Sequence, residues 1–88
     1  MVKGIAVVNN ARGIHARPSS EIATAAQTFK SAITFNFNKK TANPVSVLQI
    51  IIMEMFKDSE VEIIAEGGDE QEAFNKMKEL LEKEYEYD

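Results

Sequence analysis

The sequence predicts an α+β fold, an open-faced β-sandwich of order β-α-β-β-α-β-α. Its four-stranded antiparallel sheet is covered on one face by three helices. Three observations carry this expectation. Ile33, Phe35 and Phe37, and later Val61, Ile63 and Ala65, alternate with more polar residues, as strands with one buried face do. Ile22, Ala25, Ala26 and Phe29, and later Ala73, Phe74, Met77, Leu80 and Leu81, recur at helical spacing, giving each helix one apolar stripe. Finally, 88 residues hold a single core, so these stripes must cover the apolar face of the sheet and leave its other face wet. Residues 1–88 are read as one domain.

Val2 to Val8 reads as the first strand, with Ile5, Val7 and Val8 as β-formers and Asn9-Asn10 supplying turn chemistry. The loop Ala11-Arg12-Gly13 leads to a helix from about Ala16 to Phe29. Ala32 to Phe37 is the second strand. Asn38-Lys39 is its hairpin turn, and Lys40 to Asn43 is a short polar return at a sheet edge. Val45 to Phe56 is apolar enough for a buried strand. Ser46-x-x-Gln49 nevertheless reads as a capping box, in which each side chain bonds the other's backbone N–H. A short helix from Val47 to about Met53 is therefore expected. So short and apolar a helix must expose part of Val47, Leu48 and Ile51. Lys57-Asp58-Ser59 is a turn and Glu60 to Glu66 the last strand. Asp69-x-x-Glu72 reads as a second capping box, opening the last helix. Glu84 to Asp88 are expected to fray, because acids oppose the dipole at a helix C-terminus.

Composition narrows the function. Without cysteine there is neither a disulfide framework nor a thiolate site, and one histidine makes no cluster, so no metal and no cofactor are expected. The N-terminus carries no basic-then-apolar leader, and no apolar run is long enough to span a bilayer. A cytoplasmic monomer without membrane insertion is expected. Residues 1–53 hold six Lys/Arg and one acidic residue, a net +5, whereas residues 54–88 hold four Lys and 13 acidic residues, a net −9. Basic residues are few and no basic-aromatic patch is visible, which argues against nucleic acid. The basic half contains Arg12, His15 and Arg17, and suits acidic protein partners.

The chemistry-bearing stretch is Gly13-Ile14-His15-Ala16-Arg17-Pro18-Ser19-Ser20-Glu21. Pro18 belongs in a first helical turn, where a missing N–H costs little, so His15 falls at or near the N-cap. A helix start offers N–H donors and the positive end of the dipole to an anion. A phosphoryl group on the ring would also meet the guanidinium of Arg17.

Gly13-Ile14-His15-Ala16-Arg17-Pro18 closely resembles the active-site signature of the HPr family, the histidine-containing phosphocarriers of the bacterial phosphoenolpyruvate:sugar phosphotransferase system. The motif position, the serine at 46 and the stretch Ala65 to Ala73 fit the same family. The resemblance implies that His15 accepts a phosphoryl group on Nδ1 from phosphorylated enzyme I and passes it to sugar-specific IIA proteins. It implies that Arg17 balances phosphate charge. Such a chain is a stoichiometric carrier and not an enzyme. The resemblance also implies regulatory phosphorylation of Ser46 by an HPr kinase/phosphorylase. The stretch after Ser46 lacks the glycine- and methionine-containing pattern common around that serine, and Arg12 adds a charge beside the motif.

Both helix starts are expected at the same edge of the sheet. The expected docking surface is Ala16, Ser20, Thr24 and Gln27 on the first helix, with Val47, Leu48, Gln49 and Ile51 on the second and Arg12 and Arg17 at the rim. An alternative is a regulatory interaction protein of the same fold, acting through Ser46 and partner binding without sugar transport.

Overall fold

The computed structural model describes residues 1–85. Its elements are β1 (Val2–Val7), α1 (Ala16–Ala26), β2 (Ala32–Phe37), β3 (Lys40–Ala42), α2 (Val47–Ile52), β4 (Glu60–Glu66) and α3 (Glu70–Glu82). The expected order holds. The strands run β1-β4-β2-β3, each antiparallel to its neighbour. β4 therefore threads between β1 and β2, and β1 and β3 are the edges.

Alternation places the core on one side of this sheet. Ala6, Ile33, Phe35, Ala42, Val61, Ile63 and Ala65 are buried, and meet Ile22, Ala23 and Ala26 of α1, Ile50 of α2, and Ala73, Met77, Leu80 and Leu81 of α3. Full burial of one such large side chain contributes about 1.5–3 kcal/mol. In β1 the buried register is the even one, so Ile5 and Val7 stand exposed on the other side. Gly4 is needed here because a Cβ would come within 2.7 Å of the Phe74 ring. The edge of β1 is occupied by α3: Lys78 Nζ donates to Ile5 O at 3.1 Å, and Glu82 accepts from Val7 N at 2.9 Å.

Several boundaries differ from the sequence reading. Val8 leaves the ladder to exchange hydrogen bonds with the turn at Asp58 and Ser59. α1 stops at Ala26, since Thr28 and Phe29 turn back to Ala25 O and Ala26 O, a tightened last turn that a helix cannot continue. β3 ends at Ala42, because the N–H of Asn43 is taken by Gln49 Oε1. α2 ends at Ile52, with Met53 as its C-cap. The hairpin turn at Asn38 and Lys39 is as expected, and both residues have positive φ, 53° and 65°, the requirement of a two-residue type I′ turn.

Both capping boxes are modified. Ser46 Oγ does accept from Gln49 N, at 3.3 Å, but Gln49 Oε1 reaches Asn43 N and not Ser46 N. Asp69 makes no cap bond. Its carboxylate turns away to take the N–H groups of Lys30 and Ser31, each at 2.9 Å, and the Ser31 hydroxyl. Glu70 accepts from Gly67 N, ahead of the helix. Long-range donors thus outcompete a local cap.

The expected fraying fails at Tyr85. It is buried, its hydroxyl donates to Leu80 O at 2.7 Å, and its N–H donates to Asn10 Oδ1 at 3.0 Å. An aromatic ring with a satisfied polar tip outweighs an unfavourable helix end. Glu86, Tyr87 and Asp88 lie outside the described residues.

Candidate functional site

The approach to α1 is a braced turn. Asn10 is buried, Gly13 N donates to Asn10 O at 2.8 Å, and Asn10 Nδ2 donates to Gly13 O at 2.9 Å. Gly13 has φ +71°, and a Cβ there would lie 2.4 Å from Met55 O and 2.8 Å from Phe56 Cα. Only glycine fits both the left-handed backbone and the close approach. Ile14 is buried and its N–H donates to Met55 O at 3.0 Å. The residue before His15 is therefore fixed to the segment that follows α2.

His15 is the N-cap of α1, with extended backbone (φ −94°, ψ −161°) and no side-chain cap bond. Its carbonyl accepts the first helical hydrogen bond, from Ser19 N at 2.9 Å. Pro18 is buried as the third helical residue and has no N–H to lose. The N–H of Ala16 lies in the part of the first turn that has no intrahelical acceptor. No acidic side chain occupies this first turn. Arg12, Ala16 and Arg17, close to His15 in sequence, are exposed.

The ring itself is half-buried. Its Nε2 is closed off from solvent and has no hydrogen-bond partner. An anion at the ring would face the positive end of the α1 dipole.

The other expected residues divide along two helices. Ser20, Thr24 and Gln27 are exposed on α1, and Val47, Leu48, Gln49 and Ile51 on α2, with Leu48 most open at 66%. The helix starts do not share an edge. Ile14 N bonds Met55 O, after α2, and Gln27 Nε2 bonds Val45 O at 3.2 Å, before α2. The two helices run in opposite directions, and Ser46 stands beside the far end of α1. At ~1.5 Å per residue, the 11 residues of α1 separate the two ends by roughly 16 Å. Ser46 therefore does not neighbour Arg17. The reversal follows from connectivity, because the β2–β3 hairpin returns the chain to the end of the sheet where α1 finishes.

Several residues escaped the sequence reading. Val45, Ile52 and Phe56 are also exposed, extending the apolar surface along α2. The signal was present: a run this apolar exceeds what six helical residues can bury. Phe56 stacks edge-on against Phe37, centroids 5.9 Å apart, and Lys40 Nζ reaches Ile52 O and Glu54, both at 3.3 Å, holding the end of α2. Asn10 and Tyr85 carried no local signal, since their pairing spans most of the chain. Among the described residues, no group of three or more His, Asp or Glu is placed to hold a metal ion, and no helix is long and apolar enough to cross a membrane.

Residues 2–83 match the protein family described as the HPr component phosphorylation site of the phosphotransferase system. The phosphocarrier protein HPr of Mycoplasma capricolum is 33% identical over 81 residues, covering 92% of this chain and 91% of that protein. Among solved structures, a Mycoplasma histidine-containing phosphocarrier protein superposes with a TM-score of 0.84 at 33% identity, covering 90% of each chain. The phosphocarrier protein HPr of Bacillus anthracis superposes with a TM-score of 0.88 at 26% identity, over 92% of this chain and 96% of that one.

Proposed function

This chain belongs to the HPr family of phosphocarriers of the phosphotransferase system, and from that premise we propose that His15 accepts the phosphoryl group on Nδ1 from phosphorylated enzyme I and delivers it to IIA proteins. The family is one of carriers and not of enzymes. The observation that supports this reading most directly is the seating of His15, with Nε2 buried and the ring at a helix N-cap.

In the transfer, the Nδ1 lone pair forms the N–P bond as the bond from phosphorus to the donor's leaving atom breaks, its electron pair departing with that atom. The phosphoryl oxygens then lie at the start of α1, where backbone donors and Arg17 offset their charge. The N–P linkage is labile, which suits onward transfer. Arg12 and Arg17 favour approach of an acidic partner surface. The partner's apolar contact falls on Val47, Leu48 and Ile51, with Ala16, Ser20, Thr24, Gln27 and Gln49 around it. Ser46 is the proposed regulatory site.

Incubation with enzyme I and phosphoenolpyruvate, followed by mass measurement, tests the acceptor. One acid-labile phosphate is expected, and none in His15→Ala. Undiminished labelling of that variant would place the acceptor elsewhere.

A further inference from the structure

Among the described residues, two buried side-chain polar atoms lack a hydrogen-bond partner: Nε2 of His15 and Oγ of Ser19. Buried polar groups are almost always paired, and exceptions call for a reason. These two belong to residues one helical turn apart, already joined by the bond from Ser19 N to His15 O. Side chains four apart share a helix face. Ser19 is fully buried, and its hydroxyl bonds nothing in this state. Alanine would serve the helix better and would bury no unpaired hydroxyl.

We propose that Ser19 is a positioning residue for His15: its hydroxyl accepts a hydrogen bond from Nε2–H when Nδ1 carries a phosphoryl group. The inference rests on His15 being the acceptor. A neutral imidazole has one N–H and one lone pair, and the partner of one nitrogen decides which stays available on the other. With its proton on Nε2, the ring keeps the lone pair on Nδ1. That pair forms the N–P bond while the donor's leaving atom takes the electrons of the bond it loses. The Nε2 proton stays where it is, now on a ring with greater positive character, and becomes a stronger donor that Oγ accepts. Oγ has three staggered positions about Cα–Cβ available to it. The orphaned pair is thus a vacancy in the resting state that the charged state fills.

The test uses the intact protein with ¹⁵N-labelled histidine, phosphorylated chemically by phosphoramidate so that no partner protein is required. In the native chain, ¹⁵N NMR should place phosphorus on Nδ1 and show a protected Nε2–H. In Ser19→Ala, the Nε2 resonance should move and its proton should exchange faster by at least about tenfold, as loss of a hydrogen bond to a charged group requires. Far-UV circular dichroism should be unchanged and the melting temperature equal or higher. Identical Nε2 shifts and exchange in the two proteins would overturn the proposal, as would phosphorus on Nε2. Failure of enzyme I to label the native chain would instead overturn the reading of His15 as relay acceptor. The Ser19 measurement, made on chemically phosphorylated protein, distinguishes the two.

Discussion

Asn10 ties the C-terminal segment to the loop before His15: its Oδ1 accepts from Tyr85 N at 3.0 Å, and its Nδ2 donates to Gly13 O at 2.9 Å. One buried amide satisfies backbone groups 75 residues apart in one case and three in the other. Asn10→Ala strands both. Each buried group left unpaired costs about 1–3 kcal/mol. Urea unfolding should show a loss in that range or above, and phosphoryl acceptance should fall with it because the loop loses its brace. A variant with native stability would show that solvent reaches these groups readily.

Arg17 is exposed on the first turn of α1, two residues after His15, and is the proposed counter-charge to the phosphate. Arg17→Ala should slow acceptance at His15 by about tenfold or more, since a charge-assisted bond is worth ~1.5–3 kcal/mol. The melting temperature should barely move. Parallel losses of stability and rate would make the residue structural.

Leu48 exposes 66% of its surface on a six-residue helix. Leu48→Glu should weaken enzyme I association at least about tenfold, as expected of a central apolar contact, with the far-UV spectrum intact. Titration calorimetry reads this directly, and unchanged affinity would move the interface off α2.

Ser46 lies at the end of α1 remote from His15, so a charge there does not act on the ring. At physiological salt the screening length is about 8 Å, well inside the separation of the helix ends. The charge falls instead beside the apolar surface of α2, where contact requires its desolvation. Ser46→Asp should raise KM for phosphorylated enzyme I several-fold and leave kcat near the parent value. The helix should be as stable as before, because aspartate is a good N-cap. A change confined to kcat would contradict this geometry.

Asp69 sits below its ordinary carboxylate value, chiefly because the Ser31 hydroxyl bonds it, with further help from the backbone N–H groups of Lys30 and Ser31. A depressed pKa in the folded state contributes stability above the unfolded value, near 3.8, and that contribution disappears as pH falls through the lower folded value. Asp69→Asn should therefore lower the melting temperature at neutral pH and flatten its dependence on pH in the acid range. A parallel displacement of the whole curve would exclude this linkage.

The strands, the helix stripes and the histidine motif were legible because each is written within ten or so consecutive residues. Ile33, Phe35 and Phe37 declare a strand by themselves. The misreadings share a different cause. Asp69 has the spacing of a cap but finds better donors at Lys30 and Ser31. Tyr85 sits among acids that discourage helix but is held by Asn10 and Leu80. The direction of α2 relative to α1 depends on where the β2–β3 hairpin delivers the chain, which no local pattern records. Ser19 looked like one more polar residue near a helix start, and only its burial sets it apart.

The contacts of Lys78 and Glu82 with β1 bear on what this molecule avoids. A rim strand with exposed Ile5 and Val7 is a template on which another chain could add a strand. Here two of the outward backbone groups, Ile5 O and Val7 N, are already occupied by an ammonium and a carboxylate that also pair with each other at 3.1 Å. A strand pairing along Ile5 to Val7 would have to displace both. For a carrier that must let each partner go, this edge is thereby less open to the extended backbone pairing that strand addition would make.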